Sequence, residues 1–228
     1  TVTGVQTCAL PIYVHMLTVR EYAQLSPRQP FAYRVHRHPL VLFGIGPLIY
    51  FVVLQRFVWE PREWKVERRS VHGTNLGIAA VIAAMCWWVG PTMFLAVELP
   101  IVALASSAGV WLFYVQHHYE DTYWRRRAEW GYVAASLHGS SYYCLPRVLQ
   151  WITANIGLHH IHHLDSQIPN YRLQECLDHN PALRGLGRLT LWESFGCAVL
   201  KLWDEDAGRM VTLSEAAIKP RSSSTIST

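Results

Sequence analysis

Charge is scarce in this sequence: Asp, Glu, Lys and Arg make up 16% of 228 residues, against 51% hydrophobic residues that include ten Trp and eleven Tyr. That balance argues against an ordinary soluble domain and for a membrane protein with aromatic belts and a polar cap. Basic excess is also missing. The formal charge is only +4, and Lys and Arg flank apolar runs instead of forming a face of their own, so no nucleic-acid partner is expected. Cysteine pairs are absent too. Cys8, Cys86, Cys144, Cys176 and Cys197 show no Cys-x-x-Cys spacing, which leaves no disulfide framework and puts the polar portion in a reducing, cytoplasmic setting. Cys86, inside an apolar run, reads as a small hydrophobe. The sequence has no internal repeat and no Gly-rich phosphate loop.

Histidine is present where it needs explaining. His159-His160-Ile161-His162-His163 puts four imidazoles in five residues. In a helix, His159, His162 and His163 fall at i, i+3 and i+4 on one face, and His160 points about 100° away. Three neutral imidazoles converging on one spot suit iron, zinc or copper, whereas magnesium and calcium prefer oxygen ligands. A second pair, His117-His118, follows the last apolar run and leads into Tyr119-Glu120-Asp121. It brings one imidazole to the same metal or serves as a plain interface feature. Glu120 and Asp121, with Asp165 beyond the cluster, are candidates to orient ligand rings. His36 and His38, spaced i, i+2, read with Tyr33, Arg34 and Arg37 as an interface anchor. His138 reads as a cation at a helix C-terminus. Spacing leaves open whether His36, His38, His118 or His160 binds metal.

Thr18 and Glu21 form a capping-box pattern that opens a short helix, stopped by Ser26-Pro27. Three apolar segments follow, at about 40–54, 75–91 and 93–115. The third is long enough to span a bilayer, and the second reaches that length only at its full extent. The first carries Gly44, Gly46 and Pro47 and reads as kinked, re-entrant or interfacial. Arg34 and Arg37 precede the first segment, Arg56, Arg62, Lys65, Arg68 and Arg69 separate it from the second, and Arg125, Arg126 and Arg127 follow the third. The Gly90-Pro91-Thr92 turn is uncharged. By the positive-inside rule the basic clusters are cytoplasmic and the turn faces the other side. Glu98, inside the third segment, is an intramembrane acid and a functional flag. The expected architecture is therefore mainly α: integral membrane helices, made of an interfacial or re-entrant segment plus a two-helix hairpin, with a cytoplasmic helical cap over 116–213 that carries the histidine cluster. Within the cap, Arg125 to Leu137 reads as an amphipathic helix ending at Gly139, Pro146 opens a helix toward the cluster, and Asp165 to Tyr171 breaks it. Thr190-Leu191-Trp192-Glu193 is a capping box opening a helix to about Trp203 with a Phe195, Val199, Leu202 stripe. Residues 221–228 are a polar tail expected to be disordered.

The stretches NIGLHHIHHLDSQIPNYRL, from Asn155 to Leu173, and FYVQHHYEDTYW, from Phe113 to Trp124, resemble the membrane fatty acid desaturase family, in particular bacterial and plastid-type acyl desaturases. The resemblance runs from about Leu17 to Leu213. It implies a di-iron enzyme that uses O₂ to place a cis double bond in an acyl chain, with His159, His162 and His163 as the third histidine box and His117 as the ligand after the hairpin. It also implies a membrane lipid or acyl substrate, an external electron donor of ferredoxin or cytochrome b5 type, and residence in a membrane, most simply a bacterial inner membrane, with the box on the cytoplasmic face. A related histidine-box hydroxylase or ketolase and a non-catalytic membrane metal-binding protein are the alternatives.

The family pattern has two earlier boxes, of His-x-x-x-His and His-x-x-His-His type. Before residue 117 only His15, His36, His38 and His72 occur, at no such spacing. Residues 1–12, TVTGVQTCALPI, have no helical or strand periodicity, are too short and lack the basic start for a signal peptide, and resemble a translated sequencing adapter. The expectation is that residues 13–220 are the C-terminal part of a desaturase domain, with an incomplete di-iron ligand set and no activity alone.

Overall fold

The computed structural model describes residues 16–57, 64–125 and 129–218. The adapter-like start and the polar tail lie outside them. The chain divides into two units, one of residues 34–111 and one of residues 1–33 with 112–228, and each is taken by itself.

Helices dominate, in the order β1 (Leu17–Thr18), α1 (Val19–Ala23), α2 (Gln29–His36) and a helical run α3 (Val41–Arg56). Thr18 caps α1 as its sequence predicts: its hydroxyl accepts from Glu21 N–H at 3.1 Å, and the Glu21 carboxylate accepts from Thr18 N–H at 2.9 Å. Between α2 and α3 the axis bends by 58°. The break falls at His38-Pro39, where the proline ring disfavours helical backbone in the residue before it. Within α3, Pro47 cannot donate to its preceding turn and the coil widens. Gly46 N–H reaches back five residues to Val41 O, in a π-type turn. A Cβ on Gly46 would lie 2.6 Å from that oxygen, so only glycine fits. The first apolar segment, read as kinked, re-entrant or interfacial, is thus irregular at Gly46-Pro47, and the 58° bend lies just before it.

Two helices are long and apolar enough to cross a membrane, α4 (Lys65–Val89) and α5 (Pro91–His117). Both outrun their apolar segments. The basic stretch from Lys65 onward contains no proline, so the helix starts well before the apolar run does. Gly90, at φ +84°, ends α4 in the left-handed region, and Pro91 opens α5, which makes the uncharged hairpin turn. The apolar window of α4 buries nothing inside the chain, and Trp87 and Trp88 stand exposed beside the turn. That is the surface expected of a helix able to cross a membrane.

The other unit continues with α6 (Tyr132–His138), β2 (Tyr142–Cys144), α7 (Arg147–Ile152), α8 (His159–Leu164), α9 (Leu173–His179), β3 (Arg188–Thr190), α10 (Ser194–Cys197), β4 (Leu202–Asp204), β5 (Arg209–Val211) and α11 (Leu213–Ile218). Two small sheets brace it: β1-β4-β5, and the parallel pair β2-β3. The core under the histidines is Leu158 and Ile161 against Leu173 and Leu177. A second core stacks Trp124 on Trp203 over Met210.

Three helical expectations shorten. Residues 126–128 lie outside the described part, and α6 starts only at Tyr132, because Gly131 is extended at φ −124°, ψ 131°. Gly139 ends it as expected. Pro146 does open α7, but that helix stops at Ile152. Ala154 and Asn155 take positive φ and turn the chain before α8 begins. The Thr190–Glu193 capping box forms, with Thr190 N–H donating to Glu193 at 2.7 Å. It closes a turn just ahead of the four-residue α10, whose own N-cap, Glu193, makes no side-chain cap bond. Leu202 is claimed by β4, fully buried, while Phe195 and Val199 stay exposed.

Candidate metal centre

The six residues of α8 separate two faces. Ile161 points with Leu158 into the apolar core, and both are fully buried. That anchors the helix so that His159 and His163, one turn apart, stand on the opposite face. His117 meets them from the last residue of α5. Its Nε2 lies 3.0 Å from His159 Nε2, and His163 Nε2 lies 3.0 Å from the same atom. The three rings pack edge to face. Among the described residues, these three form the one cluster whose ligand atoms all lie within 4.8 Å of one another.

The proton arrangement is one that a ligand set needs. His117 Nδ1 is 3.0 Å from the Gly139 carbonyl, which only accepts. Nδ1 therefore carries the proton, and Nε2 presents its lone pair to the cluster, the tautomer that a metal ligand needs. A single N–H on His159 can be aimed at one of its two neighbours but not at both. Burial, and then neighbouring His117 and His163, holds His159 well below the ordinary histidine pKa. Burial, followed by His117 and His162, brings His163 down to about 4. Both rings are neutral at neutral pH, as coordination requires. Metal–nitrogen bonds of about 2.1 Å meeting at a right angle place two nitrogens about 3.0 Å apart, which is the spacing of both contacts. The donors fit a transition-metal ion bound by imidazole.

The remaining predicted residues are placed as follows. His162 stacks with its ring 5.7 Å from His159 and 6.1 Å from His163, outside the trio. His160 is fully buried, with Nε2 3.2 Å from the Leu183 carbonyl. His118 lies flat on Tyr114, ring centres 4.3 Å apart. His36 and His38 are exposed and belong to the other unit, where His38 Nδ1 accepts from Leu40 N–H. Glu120 pairs with Arg209 at 2.8 Å, and Asp165 accepts from Gln167 N–H at 2.9 Å. Asp121 is exposed.

The role of orienting His117 falls instead to a backbone carbonyl, and α6 supplies it. The Tyr119 hydroxyl donates to His138 O, next to Gly139. Tyr132 and Ser136 hydroxyls donate to His163 O at 2.8 and 3.2 Å, tying α6 to the histidine helix. Sequence spacing pointed to Gly139 as a helix end but gave no sign that its carbonyl would serve a ligand. Tyr119→Phe is expected to cost about 1 kcal/mol of stability and to weaken metal binding by roughly tenfold. Thermal unfolding and a cobalt titration of the purified variant check both.

The fatty acid desaturase family model matches residues 13–195. The chain belongs to the fatty acid desaturase family. It is 43% identical over 199 residues to a fatty acid desaturase of Bacillus subtilis (strain 168), covering 87% of this chain and 56% of that protein. It is 29% identical over 179 residues to a probable fatty acid desaturase of Sorghum bicolor, covering 71% of this chain and 43% of that protein. The chain thus spans about half the length of these relatives. Family membership, an oxidoreductase family by its name, puts the histidine cluster at the end of a membrane-length helix in a coherent setting.

Proposed function

We propose that this chain is part of an O₂-dependent acyl desaturase that introduces a cis double bond into the chain of a membrane lipid or other acyl carrier. The observation that carries the reading is the convergence of His117, His159 and His163 Nε2 atoms at the end of α5, in a family named for that reaction. Iron at such a site supplies the O₂ chemistry needed to break an unactivated C–H bond. His117, His159 and His163 hold the metal, with His162 as a further ligand of the complete di-iron site. The Gly139 carbonyl keeps the proton of His117 on Nδ1, away from the metal. The apolar surfaces of α4 and α5 admit the acyl tail, and basic residues at the interface hold its headgroup on the cytoplasmic side. Electrons come from an external donor of ferredoxin or cytochrome b5 type. Two irons need more imidazoles than the trio provides, so turnover is assigned to the whole desaturase and not to this stretch alone.

The test joins residues 13–228 to the upstream portion of the B. subtilis relative and supplies ferredoxin, its reductase and O₂ in membranes. Acyl products are then read by mass spectrometry. A new double bond, absent with His159→Ala and absent with the 228-residue chain alone, is the expected result. Hydroxylated acyl chains in its place would favour a hydroxylase, and turnover by the chain alone would refute the incomplete ligand set.

A further inference from the structure

Outside the metal centre, one exposed surface is aromatic and unexplained. Helix α7 exposes Val148, Trp151 and Ile152 at i, i+3 and i+4, a single apolar face turned away from the protein, with Trp151 81% exposed. The segment after β3 exposes Trp192 at 79%, with the Phe195 ring 6.0 Å away and Val199 beyond it. The sheet brings the two segments together. Strands β2 and β3 are parallel and in register, Cys144 opposite Thr190, so the chain leaves both at the same end, into α7 from one and into Trp192 from the other. A buried bond between Tyr143 and Ser194 hydroxyls, 2.9 Å, ties the strand to α10.

The depth of this patch is also fixed. Ser141 N–H, one residue before β2, donates to the Gln116 carbonyl at 2.9 Å. The Gln116 side-chain amide donates to Ile156 O, shortly after α7, at 2.9 Å. Gln116 sits in the last turn of α5, a membrane-length helix. Both ends of the β2–α7 segment are therefore pinned to the last turn of α5, and the end of a membrane-spanning helix is the level at which Trp side chains are enriched. Arg147, at the start of α7, and Arg188, at the start of β3, are both exposed. Glu193, the acid within it, is occupied by the Thr190 N–H.

We infer that α7 and the Trp192–Val199 segment form a monotopic anchor that inserts Val148, Trp151, Ile152, Trp192 and Phe195 into the phospholipid interface beside α5. The occupant is the bilayer, not a second protein, because the segment is tied through Gln116 to the last turn of a membrane-length helix and carries the exposed cations Arg147 and Arg188. This rests on the membrane-spanning reading of α5 and not on the desaturase reaction.

The test places p-benzoylphenylalanine at position 151, 192 or 207 of the full chain, in nanodiscs of phosphatidylethanolamine and phosphatidylglycerol. Irradiation is followed by intact-mass analysis. Trp151 and Trp192 are so exposed that replacing them leaves the core intact, and Ala207, exposed in the β4–β5 turn, is the reference. Phospholipid adducts several-fold more abundant at 151 and 192 than at 207 are the expected result. Equal labelling at all three positions, cross-links to a second copy of the chain, or no adduct at 151 and 192 would each overturn the anchor.

Discussion

Replacing His159 by alanine is expected to abolish useful metal binding, because His159 Nε2 is the atom that both other nitrogens approach to 3.0 Å. Structural zinc sites with four ligands are worth about 12 kcal/mol, which divides to about 3 kcal/mol per ligand, on the order of a 100-fold loss in affinity for one imidazole. His117→Ala and His163→Ala remove the flanking donors and are expected to cost nearly as much. His162→Ala is expected to cost far less in this chain, since its ring lies outside the trio. Cobalt titration followed by visible absorbance ranks the four variants. Stability need not fall with affinity. Without metal the three rings crowd one another, so removing one relieves an unsatisfied contact while leaving the Leu158–Ile161 core in place.

Gly157→Ala is expected to produce a large loss of stability for a single added methyl group. A Cβ at Gly157 would press into the Tyr143 carbonyl oxygen and lie 2.6 Å from Gln150 Oε1. The backbone cannot retreat easily, because Tyr143 N–H donates to Gly157 O at 2.7 Å and holds β2 against the entry to α8. Overpacking of that kind costs about 2–3 kcal/mol. For a domain of this size that corresponds to a fall in melting temperature of about 5–10 °C. Gly185→Ala, where a Cβ meets nothing, is the matched control and is expected to be neutral. Gly157 lies two residues before His159, so the same substitution is also expected to weaken cobalt binding, which the control leaves unchanged.

What could be read from the residues was local. Both capping boxes, the Gly90-Pro91 turn and the pairing of His159 with His163 one turn on are short-range patterns with a steric or hydrogen-bonding cause, and each appears, whereas His162, read onto the same face, lies outside the trio. The meeting of His117 with the α8 cluster was implied by the family resemblance, while position alone left open whether the His117-His118 pair would reach it. What could not be read was non-local. Leu202 continues a helical stripe on paper, but Leu17 and Val211 pair with it across the sheet and pull it into a strand. The arrangement of α6, with Gly139 O on His117 and Ser136 on His163, depends on how three helices pack, and spacing carries no trace of it. Acidic residues were the natural choice to orient the ligand rings. A helix-end carbonyl does the same at no desolvation cost, because that carbonyl needs a donor in any case.

The central claim is that His117, His159 and His163 together form one transition-metal site. Cobalt titration of the purified 228-residue chain, read by the visible bands of the bound ion, tests it most directly. The account predicts one ion per chain with spectra typical of imidazole ligation, lost in each of the three alanine variants and retained when His162 is replaced. Cobalt binding that survives the simultaneous loss of His117, His159 and His163, or no binding by the folded wild-type chain, would contradict it.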